Sequence, residues 1–435
     1  IKTSPDGFFR QKLQLTRPVF AVLKTGRQQW RLLLSPGRDL YIDTAHIKGK
    51  ASPENQFLRQ GVFHSAPFFM QDQFAKVSAA EWQTKVMAPI EKELQAGSNA
   101  ISASGIPAHL QRLLMSETRY AYQCYLNDFT NNQMAWAKNP LRDSLLNSVM
   151  TWQPLPDSIT LATGFYANMI MERQGAYHIS LQMRKGAGDP RQKIVEYLQT
   201  PFSVIDSLVK HYGERQMLSW LFAHHHLPAS VQDKILFNKI LDAADGGSFN
   251  TAFILLDTLQ HYFPNSAYLS PARAETQRIH TILQRNGINP QIVFLKPGSI
   301  RTLADLVKPY AGKVVYLDIW GTWCGPCKTE MAFEPVLKKR YQQKDIVFVY
   351  LDMDDVIKES TWKEYLRYHD IKGQHYRMNR EEIAAIWQEI ATAGGAINRY
   401  PTFVLFNRKG EIIQANARRP SEQEALYQQL DEALK

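Results

Sequence analysis

The sequence predicts an α+β multidomain chain. A small antiparallel β domain is expected over residues 1–75, a mostly helical domain over 76–290 and an α/β domain over 291–435. Three observations predict it. The chain has 435 residues, 44% of them hydrophobic, enough to fill more than one core. The hydrophobic pattern changes character twice, near residue 76 and after Asn286-Gly287. No apolar run approaches the roughly 20 residues of a membrane span, Ile346–Leu351 being among the longest.

In the first region short strand-like runs cover Phe8–Leu15, Val19–Lys24, Trp30–Leu34 and Leu40–Asp43, punctuated by Pro18, Gly26 and Ser35-Pro36-Gly37. An opening strand is expected to be missing at the start. From about 76 to 290 apolar residues recur at three- and four-residue spacing. This predicts helices over Leu110–Phe129, Phe202–His211, Gln216–His225, Val231–Ala244 and Ala252–Tyr262, with prolines falling between them. No clean repeat period emerges.

Beyond residue 290 strand and helix alternate. Gln291–Leu295 reads as a strand, Lys296-Pro297-Gly298 as a turn and Thr302–Val307 as one or two helical turns. Lys313–Trp320 is a nearly unbroken apolar strand, and a helix follows over Lys328–Gln342. Then come strand Ile346–Asp352 and helices Thr361–His369 and Glu381–Ile390. Strands Thr402–Phe406 and Ile412–Ala415 pair across Asn407–Gly410. Ser421, with Glu424 three residues on, predicts a capping box for the last helix.

The net charge is +10 and uneven: residues 1–75 carry 11 Lys+Arg against 5 Asp+Glu, residues 291–435 carry 21 against 19. The basic residues of the first region are dispersed among apolar runs and form no stripe, so no nucleic-acid partner is expected. The three cysteines, Cys124, Cys324 and Cys327, can build neither a disulfide scaffold nor an all-cysteine zinc site. Cys324 and Cys327 stand three apart where a strand ends and a helix begins. There, unpaired N–H groups and the positive end of the helix stabilise a thiolate and bring the sulfurs within disulfide range. Pro326 is tolerated because its missing N–H would have had no intrahelical partner.

Asp318-Ile319-Trp320-Gly321-Thr322-Trp323-Cys324-Gly325-Pro326-Cys327-Lys328, with Tyr400-Pro401-Thr402 further on, resembles the thioredoxin fold. More narrowly, it resembles the exported TlpA/ResA-like thiol–disulfide oxidoreductases. The match covers residues 290–435, and the strands and helices before it resemble the extension of many Bacteroidetes members. The resemblance implies Cys324 as exposed nucleophile, Cys327 as the more buried resolving cysteine and Pro401 as a cis-proline that exposes the Tyr400 backbone to a substrate strand. Trp323, Gly325 and Pro326 complete the motif. No bound cofactor or metal is implied beyond the redox-active Cys324–Cys327 disulfide. Partners would be protein thiols and disulfides plus an upstream electron donor, in periplasm or cell envelope. Membrane contact would come through an anchor upstream of Ile1, and the missing start methionine is compatible with a removed leader.

Asp318 is the one charge in Val314–Trp320. It aligns with the buried acid thought to relay a proton to the second cysteine; the alternative is an acid at a strand bend facing solvent. Glu330, three residues after Cys327, matches a glutamate of the TlpA/ResA-like families, expected to adjust thiol acidity or contact partners. A solvated helix glutamate is the plain alternative. Ala332 replaces a common helix-kinking proline and Pro335 follows, so the helix is expected to bend differently. The Gly-Pro spacer resembles the reducing thioredoxins, of potential about −270 mV, so reduction is the expected direction.

Two other readings compete. A thiol peroxidase would carry a proline where Leu317 stands and a hydroxyl where Gly321 stands, and lacks both here. A binding or scaffold protein would place its main role in the first 290 residues, with the redox pair secondary. His224-His225-His226 points to different helix faces and suits a helix C-terminus better than a metal. Cys124, amid Tyr120, Tyr122 and Tyr125, reads as a buried inert thiol, and Ala393-Gly394-Gly395-Ala396 as a plain loop.

Overall fold

The computed structural model of the chain describes residues 9–25, 28–43, 45–154, 156–184, 186–212, 214–296, 300–354 and 358–435. The contacts divide it into two compact units: residues 1–205 with 217–235, and residues 206–216 with 236–435. This differs from the three-part division expected. The first unit joins the early strands to helices, and the second joins the last helices before residue 290 to the sheet that follows.

In the first unit β1 (Val19–Thr25) and β2 (Gln28–Leu34) form an antiparallel hairpin, and β3 (Tyr41–Ile42) pairs with β4 (Ile47–Lys48) in a second, separate one. Residues 9–15, expected as a strand, are irregular, and the start of that stretch lies outside the described residues. Among the described residues no strand pairs with it. Helix α1 (Ala108–Asn131) buries Leu110, Leu114, Ala121 and Cys124 along one side. The Glu117 carboxylate on it accepts the backbone N–H groups of Phe165 and Tyr166 at 2.7 and 2.6 Å, closing the first turn of α2 (Phe165–Arg184). Cys124 is a buried free thiol, and burial pushes its acidity well below that of an exposed cysteine. On helix Glu214–His226 the ring of His226 stacks on Tyr197 while His224 packs at Trp220.

The second unit is built on a six-stranded sheet of order β10-β9-β6-β7-β8-β5, in which β5 (Ile292–Phe294), β8 (Gly373–Arg377), β7 (Ile346–Asp352) and β6 (Val314–Trp320) run parallel. β9 (Thr402–Phe406) lies antiparallel to β6, and β10 (Ile412–Gln414) antiparallel to β9. Central β6 is buried at all seven positions, as a strand covered on both faces must be. Alternation divides its side chains. Val315, Leu317 and Ile319 meet Leu303 and Leu306 of helix α5 (Leu303–Val307) and Ile386 and Ile390 of helix α9 (Ala384–Thr392). Tyr316, Asp318 and Trp320 face the other way. Trp320 packs with Met331 of helix α6 (Gly325–Met331) and with Trp362 and Leu366 of helix α8 (Glu359–Tyr368). Tyr316 packs with Leu337 of helix α7 (Glu334–Tyr341) and Leu426 of helix α10 (Glu424–Ala433).

Two expected elements are corrected. The helix expected over 328–342 is two, α6 and α7, broken at Ala332-Phe333. Pro335 lies in the first turn of α7, where it lacks the N–H that an unbroken helix would need. Ser421 does not cap the last helix: residues 420–422 form a 3₁₀ turn, and α10 begins after Gln423, whose φ of +44° redirects the chain. The expected turn at Lys296-Pro297-Gly298 falls partly outside the described residues. Within the same unit helices α3 (Phe249–Tyr262) and α4 (Leu269–Asn286) pack on α8, with Phe249 against the Tyr368 ring at 4.6 Å. The Asn286 amide also donates to the carbonyls of Arg367 and Tyr368.

Candidate active site

The apolar push of β6 ends at Trp320, and the chain turns through Gly321-Thr322 into α6. Gly321 lets the Trp323 indole lie over the turn: a Cβ there would be 2.6 Å from the indole nitrogen and would push the ring aside. Cys324 is the N-cap of α6, and the Cys327 N–H donates to its Sγ at 3.2 Å, with Pro326 in the first turn. That amide and the helix end would favour negative charge on Cys324 over any charge on Cys327. The two sulfurs are joined as a disulfide, Cα to Cα 5.3 Å.

Cys324 is less open than expected: 4% exposed, against 0% for Cys327, so the expected order holds but both are sheltered. What surrounds Cys324 is open. Trp323 is 57% exposed, and Gly325 and Pro326 lie on the surface. Trp323 meets the Tyr400 ring edge-on at 4.9 Å, Tyr400 in turn meets Trp387 at 5.7 Å, and the Tyr400–Pro401 peptide is cis. Trp323 and Tyr400, 77 residues apart in sequence, thus converge at the mouth of the disulfide.

Beneath the sulfurs lies an acidic interior. Asp318 is 1% exposed and points to the α6–α7 side, so the solvent-facing alternative falls away. Neither of its carboxylate oxygens has a hydrogen-bond partner among the described residues. Burial, then the charges of Glu334 and Glu330, hold its acidity far weaker than an ordinary carboxylate's, against the opposing pull of Lys338. Glu330 is buried too, so the solvated alternative is corrected. Its oxygens accept the Ser421 N–H at 2.9 Å and hydroxyl at 3.0 Å, tying α6 to the turn before α10. That is what Ser421 does instead of capping.

Several residues of this site were not foreseen. Glu334 is 2% exposed and accepts the Tyr350 hydroxyl at 2.5 Å and the Lys338 ammonium at 3.1 Å. At the end of β7 the buried Asp354 accepts the Thr322 N–H at 3.1 Å, bracing the loop into Cys324, while its own N–H donates to buried Asp352 at 3.2 Å. Burial weakens the acidity of both. Lys328 donates to the Gly246 carbonyl at 3.0 Å and lies over the Tyr365 ring, so the helix carrying the cysteines is fastened to the segment leading into α3. Gly247, at φ +81°, makes room, since a Cβ there would sit 2.5 Å from Tyr365. Asp352 and Asp354 left one signal in the sequence, charges at the end of an apolar strand run. Glu334 and Lys338 left none, since acid and base four apart on a helix normally mark a solvated face.

Residues 289–430 match the Redoxin family. This part of the chain is a Redoxin domain. A thiol-disulfide oxidoreductase ResA of Bacillus thuringiensis subsp. konkukian is 31% identical over 129 residues, 30% of this chain and 66% of that protein. The ResA of Bacillus cereus strain ZK is 36% identical over 108 residues, 25% of this chain and 57% of that protein. The chain therefore spans just under two thirds of the curated relatives it matches first. The thioredoxin domain of a thiol-disulfide oxidoreductase from Bacteroides vulgatus is 18% identical, over 30% of this chain and 84% of that one, at a TM-score of 0.25. Both cysteines, Asp318, Glu330, Tyr400 and Pro401 lie inside the Redoxin domain. Among the described residues no helix is long and apolar enough to cross a membrane, and no cluster of three or more His, Cys, Asp or Glu side chains is placed to hold a metal ion.

Proposed function

We propose that the chain is a thiol–disulfide oxidoreductase that reduces disulfides of cell-envelope proteins through Cys324 and Cys327, with no bound cofactor. The observation that carries the reading is the Cys324–Cys327 disulfide at the head of α6, beside an exposed Trp323 and the cis Tyr400–Pro401 peptide.

In the reduced protein the Cys324 thiolate attacks one sulfur of the partner disulfide. That S–S bond breaks, the first partner thiolate leaves and takes a proton from water, and a mixed disulfide with Cys324 remains. Cys327 then gives its thiol proton to the Asp318 carboxylate and its sulfur attacks Cys324 Sγ, expelling the second partner thiolate. Two electrons have passed to the partner, Cys324–Cys327 is oxidised and Asp318 is neutral. An upstream dithiol donor reverses these steps on the protein and restores the thiolate. Pro401 and Tyr400 offer backbone to an extended partner segment while Trp323 and the Tyr400 ring pack against its side chains. Glu330 holds α6 in place through Ser421 rather than meeting the partner. Placement outside the cytoplasm rests on the family resemblance.

The test is reduction of insulin disulfides by the full chain with dithiothreitol as donor. Cys324→Ser should lower the protein-dependent rate by about a thousandfold or more, since it removes the attacking group. A Cys324→Ser protein that retained the rate would overturn the assignment.

A further inference from the structure

The layer between the sheet and helices α6–α7 buries Asp318, Glu330 and Glu334 with the Lys338 ammonium, and Asp352 lies on the same face of the sheet at the end of β7. Their hydrogen bonds differ in kind. Glu330 accepts two donors from Ser421. Glu334 accepts the Tyr350 hydroxyl and the Lys338 ammonium, both on Oε2, while its Oε1 is unpartnered. Asp318 accepts nothing on either oxygen. A buried carboxylate survives as an anion where donors meet it, and takes a proton where none do. Asp318, which no donor meets, is thus the acid of these three that most favours a proton.

Tyr350 is the link between Glu334 and Asp318. Asp318 on β6 and Tyr350 on β7 are register partners, so their side chains stand beside one another on the same face, and the Tyr350 hydroxyl ends on Glu334. Lys338 lies over the Tyr350 ring at 4.7 Å and also donates to the Lys372 carbonyl. Of the other titratable groups facing this layer, Asp352 accepts the Asp354 N–H at 3.2 Å. Tyr316 donates to the Arg418 carbonyl at 2.7 Å, Cys327 is in the disulfide, and His375 stacks on Tyr350 with its Nε2–H on the Ile371 carbonyl at 2.8 Å. The negative charges of Glu334 and Glu330 both oppose ionisation of Asp318, and Glu334 is the one tied to its register partner Tyr350.

We propose that Glu334, held as an anion by Tyr350 and Lys338, is the positioning residue that keeps the proton on Asp318 while Cys324–Cys327 is oxidised. The inference rests on Asp318 being the proton site of the proposed reaction. When a donor dithiolate breaks the Cys324–Cys327 bond, the Asp318 proton moves to the Cys327 thiolate. Asp318 is left charged beside Glu334, and the same repulsion draws a proton back from the next Cys327 thiol. Glu334 is a positioning residue and enters no bond change; it sets how strongly Asp318 holds its proton.

The experiment follows the infrared carbonyl band of a protonated carboxyl in the oxidised full chain as a function of pH, with insulin reduction alongside. The difference spectrum between the wild-type chain and Asp318→Asn, both oxidised, isolates the Asp318 component from other buried acids; no carbonyl component in that difference overturns the placement of the proton on Asp318, whatever Glu334 does. With that established, Glu334→Gln should move the band's titration to lower pH by about one unit, a tenfold weaker hold. Glu334→Asp, which keeps the charge, should restore most of it. Lys338→Met should move it the opposite way, because the cation opposing the proton is gone, and this arm stands if Glu334→Gln does not fold. A titration that stays put in Glu334→Gln, or moves down in Lys338→Met, would overturn the proposal while leaving the Asp318 reading intact.

Discussion

The two faces of the six-stranded sheet are built from the same strands yet hold opposite interiors. Odd-numbered residues of β6 enter a layer of Leu303, Leu306, Ile386, Ile390, Val349 and Val404, closed by aliphatic contact. Even-numbered residues enter a layer that buries Asp318, Glu330, Glu334, Lys338, Asp352 and His375 next to the disulfide. Several polar atoms of that second layer, among them both Asp318 oxygens, Glu334 Oε1, Asp352 Oδ1 and His375 Nδ1, have no hydrogen-bond partner among the described residues. Buried polar groups left in this state cost stability. The first face supplies apolar burial that offsets that cost, and the second gathers acidic groups on the side of the sheet that carries the disulfide.

That contrast can be broken from either side. On the apolar face Leu317→Ala should cost about 2–5 kcal/mol of unfolding free energy, through lost burial and the cavity left behind. Denaturant titration would show it, with the potential of the cysteine pair unmoved. A shift in that potential would mean the two faces are not separable as described.

On the polar face Asp318→Asn should act in the opposite direction on stability. The folded protein binds the Asp318 proton more tightly than the unfolded chain does. Above the unfolded carboxyl's value of about 4, unfolding therefore releases a proton, and stability falls as pH rises toward the raised folded value. Removing the acid should raise stability at pH 7 by about 1–3 kcal/mol, an advantage that vanishes below about pH 4, while slowing insulin reduction by about 10–100-fold. Parallel unfolding curves of the two proteins at pH 4 and pH 7 would check this. Equal stability at both would place Asp318 in an ordinary ionised setting.

The sequence made the Redoxin domain legible where spacing and burial speak together. β6, β7 and β9 announce themselves as apolar runs, and the cysteine pair at a strand–helix junction needs no tertiary information. Strand β8 was hidden because Gln374, His375 and Arg377 interrupt its pattern, although its hydrogen bonds to β7 and β5 make it an inner strand. The break between α6 and α7 was half legible, through Pro335. The cluster beneath the sulfurs was legible only at Asp318, where a charge stands in an apolar run. Glu334 and Lys338 become buried because Tyr350, sixteen residues from Glu334, reaches back across the layer, and no local pattern records such a contact. Ser421 and Lys328 were misread or passed over for the same reason: their partners, Glu330 and Gly246, are about 80 to 90 residues away.

The most direct test of the account is the reduction potential of Cys324–Cys327 in the full chain, read by equilibration with dithiol–disulfide buffers at pH 7 and counting free thiols at each ratio. The account predicts a reversible two-electron couple at about −250 mV or lower, near the about −270 mV of thioredoxin. A couple near −120 mV would make the protein an oxidant and reverse the proposed direction, and a pair that never exchanges would contradict the redox reading altogether.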